Sequence, residues 1–130
     1  MKIIVVDDEP IVADTLVDIL QGEGHHAFAV SDGKSAIRLA KMMIPAQPDL
    51  LVTDVIMPGM DGVETAKEMV KLVPNCRVIL FSGQAASTDL LEKAKAEGYL
   101  FETLAKPVNP ELLLDTINRG KDKVTGSVAG

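Results

Sequence analysis

The feature that most constrains this chain is a regular alternation of short, continuously apolar runs with segments of helical periodicity. Ile3-Ile4-Val5-Val6 has no polar residue at alternate positions, the pattern of a strand buried on both faces. The runs at 27–30, 50–53 and 78–81 repeat it, and Tyr99-Leu100-Phe101 opens a fifth that continues less cleanly to Ala105. Between the runs lie helices with recognisable ends. Pro10 suits a first helical turn and puts Val12, Leu16, Ile19 and Leu20 on one face, with Asp14 and Asp18 on another. Asp32 can cap a second helix bearing Ala36, Ile37, Ala40 and Met43, which Pro45 stops. Asp61 and Glu64 form a capping-box pair ahead of Val63, Ala66, Met69 and Val70. A fourth helix runs from about Ser87 to a C-terminal Gly98, and a fifth starts at Asn109-Pro110 and carries Leu113, Leu114 and Ile117.

Strict β–α alternation predicts an α/β fold: a doubly wound, five-stranded parallel sheet with five helices on its two faces. At 130 residues there is room for one such domain, expected over residues 1–121, with 122–130 as an aperiodic, flexible C-terminal tail. The net charge of −6 disfavours direct nucleic-acid binding, and three Phe, one Tyr and no Trp leave few rings for base stacking. No apolar run is long enough to span a bilayer, and the N-terminal residues do not form a signal peptide, so the expected location is cytoplasmic, without membrane association. A single cysteine, Cys76, excludes an internal disulfide.

Chemistry is expected where the strands end. In open parallel sheets functional groups gather at the carboxyl ends of the strands, near the point where strand order reverses. Here those ends are polar: Asp7-Asp8-Glu9 after the first strand, Asp54 after the third, Ser82-Gly83 after the fourth and Lys106-Pro107 after the fifth. Three carboxylates brought together repel, which raises at least one pKa unless a cation intervenes. Such hard oxygen donors suit Mg²⁺. A strand-ending, helix-capping role for Asp7-Asp8 is the plain alternative; Asp54 and Lys106 at corresponding strand ends weigh against it.

The segment Asp54-Val55-Ile56-Met57-Pro58-Gly59-Met60-Asp61-Gly62 resembles the phosphoacceptor loop of the receiver domains of two-component response regulators, which have the flavodoxin-like (βα)5 fold. The acidic pair, Ser82 and Lys106-Pro107 extend the resemblance over residues 2 to about 120. It implies a phosphorylation-dependent signalling switch rather than an enzyme. Asp54 would accept a phosphoryl group from a sensor histidine kinase or a small acyl phosphate, in a Mg²⁺-dependent reaction with Mn²⁺ as a substitute ion. Asp8 and Asp54 would ligate the metal directly, Asp7 through water, and Ile56 through its backbone carbonyl. Ser82 would turn to the phosphoryl group, Lys106 would pair with it, and the Lys106-Pro107 bond would be cis. Implied partners are a histidine kinase or phosphotransfer protein, a downstream protein or output domain, and a second copy in a phosphorylation-dependent dimer. The competing functions are a Mg²⁺-dependent aspartyl phosphatase or phosphotransferase, and a constitutive interaction module. Against the first, position 56 is Ile where such enzymes place a second acid/base Asp, and no substrate cap fits the length.

Four positions depart from the family pattern or modulate it. Thr103 stands where receivers place Tyr or Phe, three residues before the lysine, and Phe101 is a substitute only through a shifted register. Gly83 follows Ser82 where a slightly larger residue is common. Ile56 and Gln84 flank the path of a hydrolytic water, and an apolar Ile56 is expected to prolong the phosphorylated state. His25 and His26 read as a solvated turn, and Cys76 as a residue without reactive neighbours. Met42 and Met43 read as gap-fillers, and Glu92, Lys93, Lys95 and Glu97 as the wet face of the fourth helix.

Overall fold

The computed structural model describes the backbone of residues 1–43, 45–83 and 85–129, and side-chain surroundings as far as Arg119 with Ala86 excepted. The order is β1 (Lys2–Val6), α1 (Pro10–Gly22), β2 (His26–Val30), α2 (Gly33–Met42), β3 (Leu50–Asp54), α3 (Gly62–Leu72), β4 (Arg77–Ser82), α4 (Ala85–Ala96), β5 (Glu102–Ala105) and α5 (Pro110–Ala129). All five strands are parallel, in the order β2-β1-β3-β4-β5.

Two apolar layers hold the sheet. Strand residues alternate between them, because successive side chains point to opposite faces. Ile4, Val6, Leu51, Val78 and Leu80 pack with Ala36, Ala66 and Met69 of α2 and α3. Ile3, Val5, Leu50, Val52, Ile79 and Phe81 pack with Leu16, Leu20, Leu113 and Ile117 of α1 and α5. The central strands thus lack a solvent face, which is why their sequences run apolar without alternation.

Helix starts follow the expected chemistry. The Asp32 carboxylate accepts the Ser35 N–H at 2.7 Å, Asp61 accepts that of Glu64 at 2.8 Å, and Asn109 Oδ1 accepts from Glu111 and Leu112 at 2.9 and 3.2 Å. Pro10 opens α1, whose N-cap Glu9 makes no side-chain cap bond. The N-cap position is thus Glu9 rather than Asp7 or Asp8, and Asp7 Oδ1 accepts the Glu9 N–H just ahead of the helix.

The C-terminal third departs from expectation. Strand β5 starts at Glu102, so the apolar run at 99–101 precedes it: Tyr99 stacks on Phe101 at 5.4 Å between centroids, while Leu100 points to solvent. Aromatic content mimicked a strand where the rings instead cover the end of α4, packed against the α2–α4 layer. The true strand is held by charge. Arg77, at the start of β4, makes a bidentate pair with Glu102 and also donates to the carbonyls of Thr116 and Ile117, both at 2.7–2.8 Å. Helix α5 spans Pro110–Ala129. Met42 is exposed, not a gap-filler. Gln84 lies outside the described residues.

Candidate functional site: an acidic pocket at the carboxyl edge of the sheet

Strand order reverses between β1 and β3, because the chain leaves β1 toward β2 and returns to pair β3 on its other side. The acidic residues stand at that switch point. Ladder bonds that outrun the strands fix them: the Asp7 N–H donates to the Val30 carbonyl at 3.2 Å, Asp54 is in register with Phe81, and the Lys106 N–H donates to the Ser82 carbonyl at 3.1 Å. Asp7, Asp8, Asp54, Ser82 and Lys106 therefore occupy one edge of the sheet.

The carboxylates of Asp7, Asp8 and Asp54 offer oxygens that all lie within 4.8 Å of one another. Asp7 and Asp54 are buried and Asp8 is exposed. Lys106 Nζ donates to Asp54 Oδ2 at 2.7 Å, with both side chains partly shielded. Three carboxylates facing one ammonium leave the pocket negative. Burial pushes the Asp7 carboxyl above its usual range, with the nearby charges of Asp54 and Asp8 adding to the rise; its bond from the Glu9 N–H, at 2.9 Å, and the Lys106 charge only partly oppose it. Burial tends to lower the Lys106 pKa, but the hydrogen bond and charge of Asp54 outweigh it and hold the ammonium above its ordinary value.

Among the described residues Asp7 Oδ2 is buried without a hydrogen-bond partner. An orphaned buried carboxylate oxygen is costly. Beside two further carboxylates, it fits a hard divalent cation approached through water. The donor set is all oxygen, which suits Mg²⁺ or Mn²⁺ and not a thiolate-seeking metal.

Backbone packing beneath the pocket is tight. The Gly62 N–H donates to the Val55 carbonyl at 2.8 Å, closing the loop after Asp54, and a Cβ on Gly62 would lie 2.0 Å from the Asp54 carbonyl oxygen. Gly83 faces Lys106, whose Cβ would lie 2.8 Å from a Cβ there. The Lys106-Pro107 bond is cis, as the resemblance implied. Ile56 is partly buried against the α2–α4 layer, and Thr103 is exposed. Cys76 is buried, and burial pushes its thiol up to about 12, so it stays protonated at neutral pH.

Two contributors escaped sequence reasoning. Ser87, fully buried on the first turn of α4, hydrogen-bonds the Ser82 hydroxyl. A lone serine at a helix start carries no periodic signal that would reveal such a contact. Arg77 likewise reads as one surface cation at a strand start, although it ties β4 to β5 and α5.

A doubly wound sheet with a carboxylate cluster and an ammonium at its switch point is an arrangement suited to a divalent cation beside an anionic group. The profile of the response regulator receiver domain matches residues 3–118, and the chain belongs to that family. It is 30% identical over 118 residues to sporulation initiation phosphotransferase F of Bacillus subtilis, covering 91% of both chains. It is 28% identical over 119 residues to the chemotaxis protein CheY of Thermotoga maritima, covering 91% of this chain and 95% of that one. A solved receiver domain protein from Clostridium thermocellum superimposes with a TM-score of 0.81 at 28% identity, over 95% of this chain and 98% of that one. The protein is thus a receiver domain, a phosphorylation-dependent switch of two-component systems, and receivers are signalling domains rather than classical enzymes. Among the described residues no helix is long and apolar enough to cross a membrane.

Proposed function

We propose that Asp54 is the phosphoacceptor, and that residues 1–121 act as the switch, with 122–130 appended to it. One observation carries the assignment: Lys106 Nζ sits 2.7 Å from Asp54 Oδ2 in a pocket that also holds Asp7 and Asp8. An Asp54 carboxylate oxygen attacks the phosphorus of a phosphohistidine or small acyl phosphate. A P–O bond to Asp54 forms as the donor's P–N or P–O bond breaks, and the bonding pair leaves with the donor. Lys106 orients the nucleophile and then balances charge on the transferred group. Asp7, Asp8, Asp54 and the Ile56 carbonyl would hold Mg²⁺, or Mn²⁺, which when bound supplies charge neutralisation for the approaching phosphoryl group. Ser82, at the end of the neighbouring strand, supplies a hydroxyl for which a phosphoryl oxygen becomes a partner only after transfer, the differential contact a population shift requires.

The phosphoryl donor is expected to be a sensor histidine kinase or phosphotransfer protein, and the readout a downstream protein, an output domain or a second copy of the chain, all in the cytoplasm. Intact mass after acetyl phosphate tests the assignment. One phosphoryl group is expected with Mg²⁺ and none after chelation. Asp54→Asn should take none; undiminished labelling of that variant would overturn it.

A further inference from the structure

The Ser82 hydroxyl is already engaged. It shares a short hydrogen bond with the Ser87 hydroxyl, and Ser87 is 0% exposed on the first turn of α4. Ser82 closes β4, and the next backbone contact of the site, from the Lys106 N–H, falls on its carbonyl. The two serines therefore join the site edge directly to α4 through their side chains. No aromatic makes that link from position 103, because Thr103 is exposed and the nearby rings of Tyr99 and Phe101 stack on each other.

A serine Oγ moves by roughly 2.4 Å between staggered rotamers, far enough to break a hydrogen bond at its first position. The two contacts are alternatives where the phosphoryl group on Asp54 is met from a different Ser82 rotamer than the one that meets Ser87. We propose that Ser87 is a positioning residue that latches Ser82 in the resting conformation, so that recruitment of Ser82 to a phosphoryl group releases the first turn of α4. The inference rests on Asp54 being the acceptor. Its consequence follows from population arithmetic: a latch lowers the fraction of molecules ready to engage the ligand, and apparent affinity falls with that fraction.

Beryllium fluoride with Mg²⁺, a non-covalent phosphoryl mimic, provides the probe, with affinity read by fluorine NMR. Ser87→Ala should bind about three- to tenfold more tightly than the parent, the span of one net hydrogen bond. In a Ser82→Ala background the same substitution should change affinity less than about twofold, since no latch remains to remove. A merely structural Ser87 would give equal effects in both backgrounds. Ser87→Cys, with a weaker hydrogen-bonding group of similar shape, should fall between parent and Ala, and decides the matter if Ser87→Ala does not fold. Unchanged or weaker binding by Ser87→Ala with Ser82 present, or equal shifts in both backgrounds, overturns the latch while leaving the acceptor assignment intact. Failure of the parent itself to bind the mimic, with Asp54→Asn behaving identically, overturns both.

Discussion

The two halves of the pocket are built on opposite terms. Asp7, Asp8 and Asp54 leave the central strands β1 and β3, whose Ile3, Ile4, Leu50, Leu51 and Val52 are completely buried. Ser82 ends β4, whose Val78–Phe81 stretch is buried as well, while Lys106 follows the edge strand β5, where burial alternates and an ion pair with Arg77 maintains the pairing. Two glycines make the contrast concrete. At Gly62 an added Cβ meets the Asp54 backbone, in the acceptor itself; at Gly83 it meets the Lys106 Cβ at 2.8 Å, which shifts only together with the backbone after the edge strand β5. The carboxylates are concentrated where the chain is most tightly packed, and the Lys106 ammonium that faces them stands beside the looser edge strand.

Substitutions that attack one half and spare the other test this contrast. Gly62→Ala should have the largest effect, at least about 3 kcal/mol of stability by urea unfolding, because backbone must shift to admit the methyl. Gly83→Ala, whose methyl meets the Lys106 Cβ beside the exposed edge strand, should cost less, about 1–2 kcal/mol, and equal losses at the two sites would erase the distinction. Arg77→Ala removes a charged fork that serves β5 and α5 together, and is expected to lose about 2–3 kcal/mol. Hydrogen exchange should then rise first in β5, and uniform loosening of the sheet would count against a separately held edge.

A smaller effect is expected at Asp7. Its carboxyl is raised in the folded state, so the folded protein binds that proton more tightly than the unfolded chain does. Ionised Asp7 therefore costs stability, a cost absent below the ordinary Asp value near 3.8 and complete once pH exceeds the raised folded value. In chelator at neutral pH, Asp7→Asn should raise the thermal midpoint by a few degrees, and the gain should vanish as pH falls toward that ordinary value. Destabilisation at neutral pH would contradict this assignment of cost. The smallest expected change is at Ile56: Ile56→Asn should speed loss of the phosphoryl group several-fold, by admitting water beside Asp54, with folding unaltered. An unchanged rate would leave Ile56 without a shielding role.

Much of this architecture is legible in the sequence because its causes are local. Runs such as Ile3-Ile4-Val5-Val6 and caps such as Asp32 and Asp61 act over a few residues, and the polar strand ends identify the edge that carries chemistry. What is not legible depends on contacts across long separations. Tyr99 and Phe101 have strand-like composition, yet they precede β5 and pack their rings against the helices of one sheet face. Arg77 takes its role from Glu102, Thr116 and Ile117, 25 to 40 residues away. Ser87 matters through its hydroxyl contact with Ser82, which no periodicity announces. Asp7, Asp8 and Asp54 are marked by their places at the ends of apolar runs, while the connections of the outer half emerge only from the packed structure.

Peptide mapping after borohydride reduction of the acetyl phosphate-treated protein is the most direct test of the pocket, since reduction converts an aspartyl phosphate to homoserine at the residue that carried it. Homoserine at position 54, formed only with Mg²⁺ present and in step with the intact-mass label, is the expected result. Homoserine at position 7 or 8, or a label that leaves residue 54 as aspartate, would contradict the claim that the central strands hold the acceptor and the outer strands respond to it.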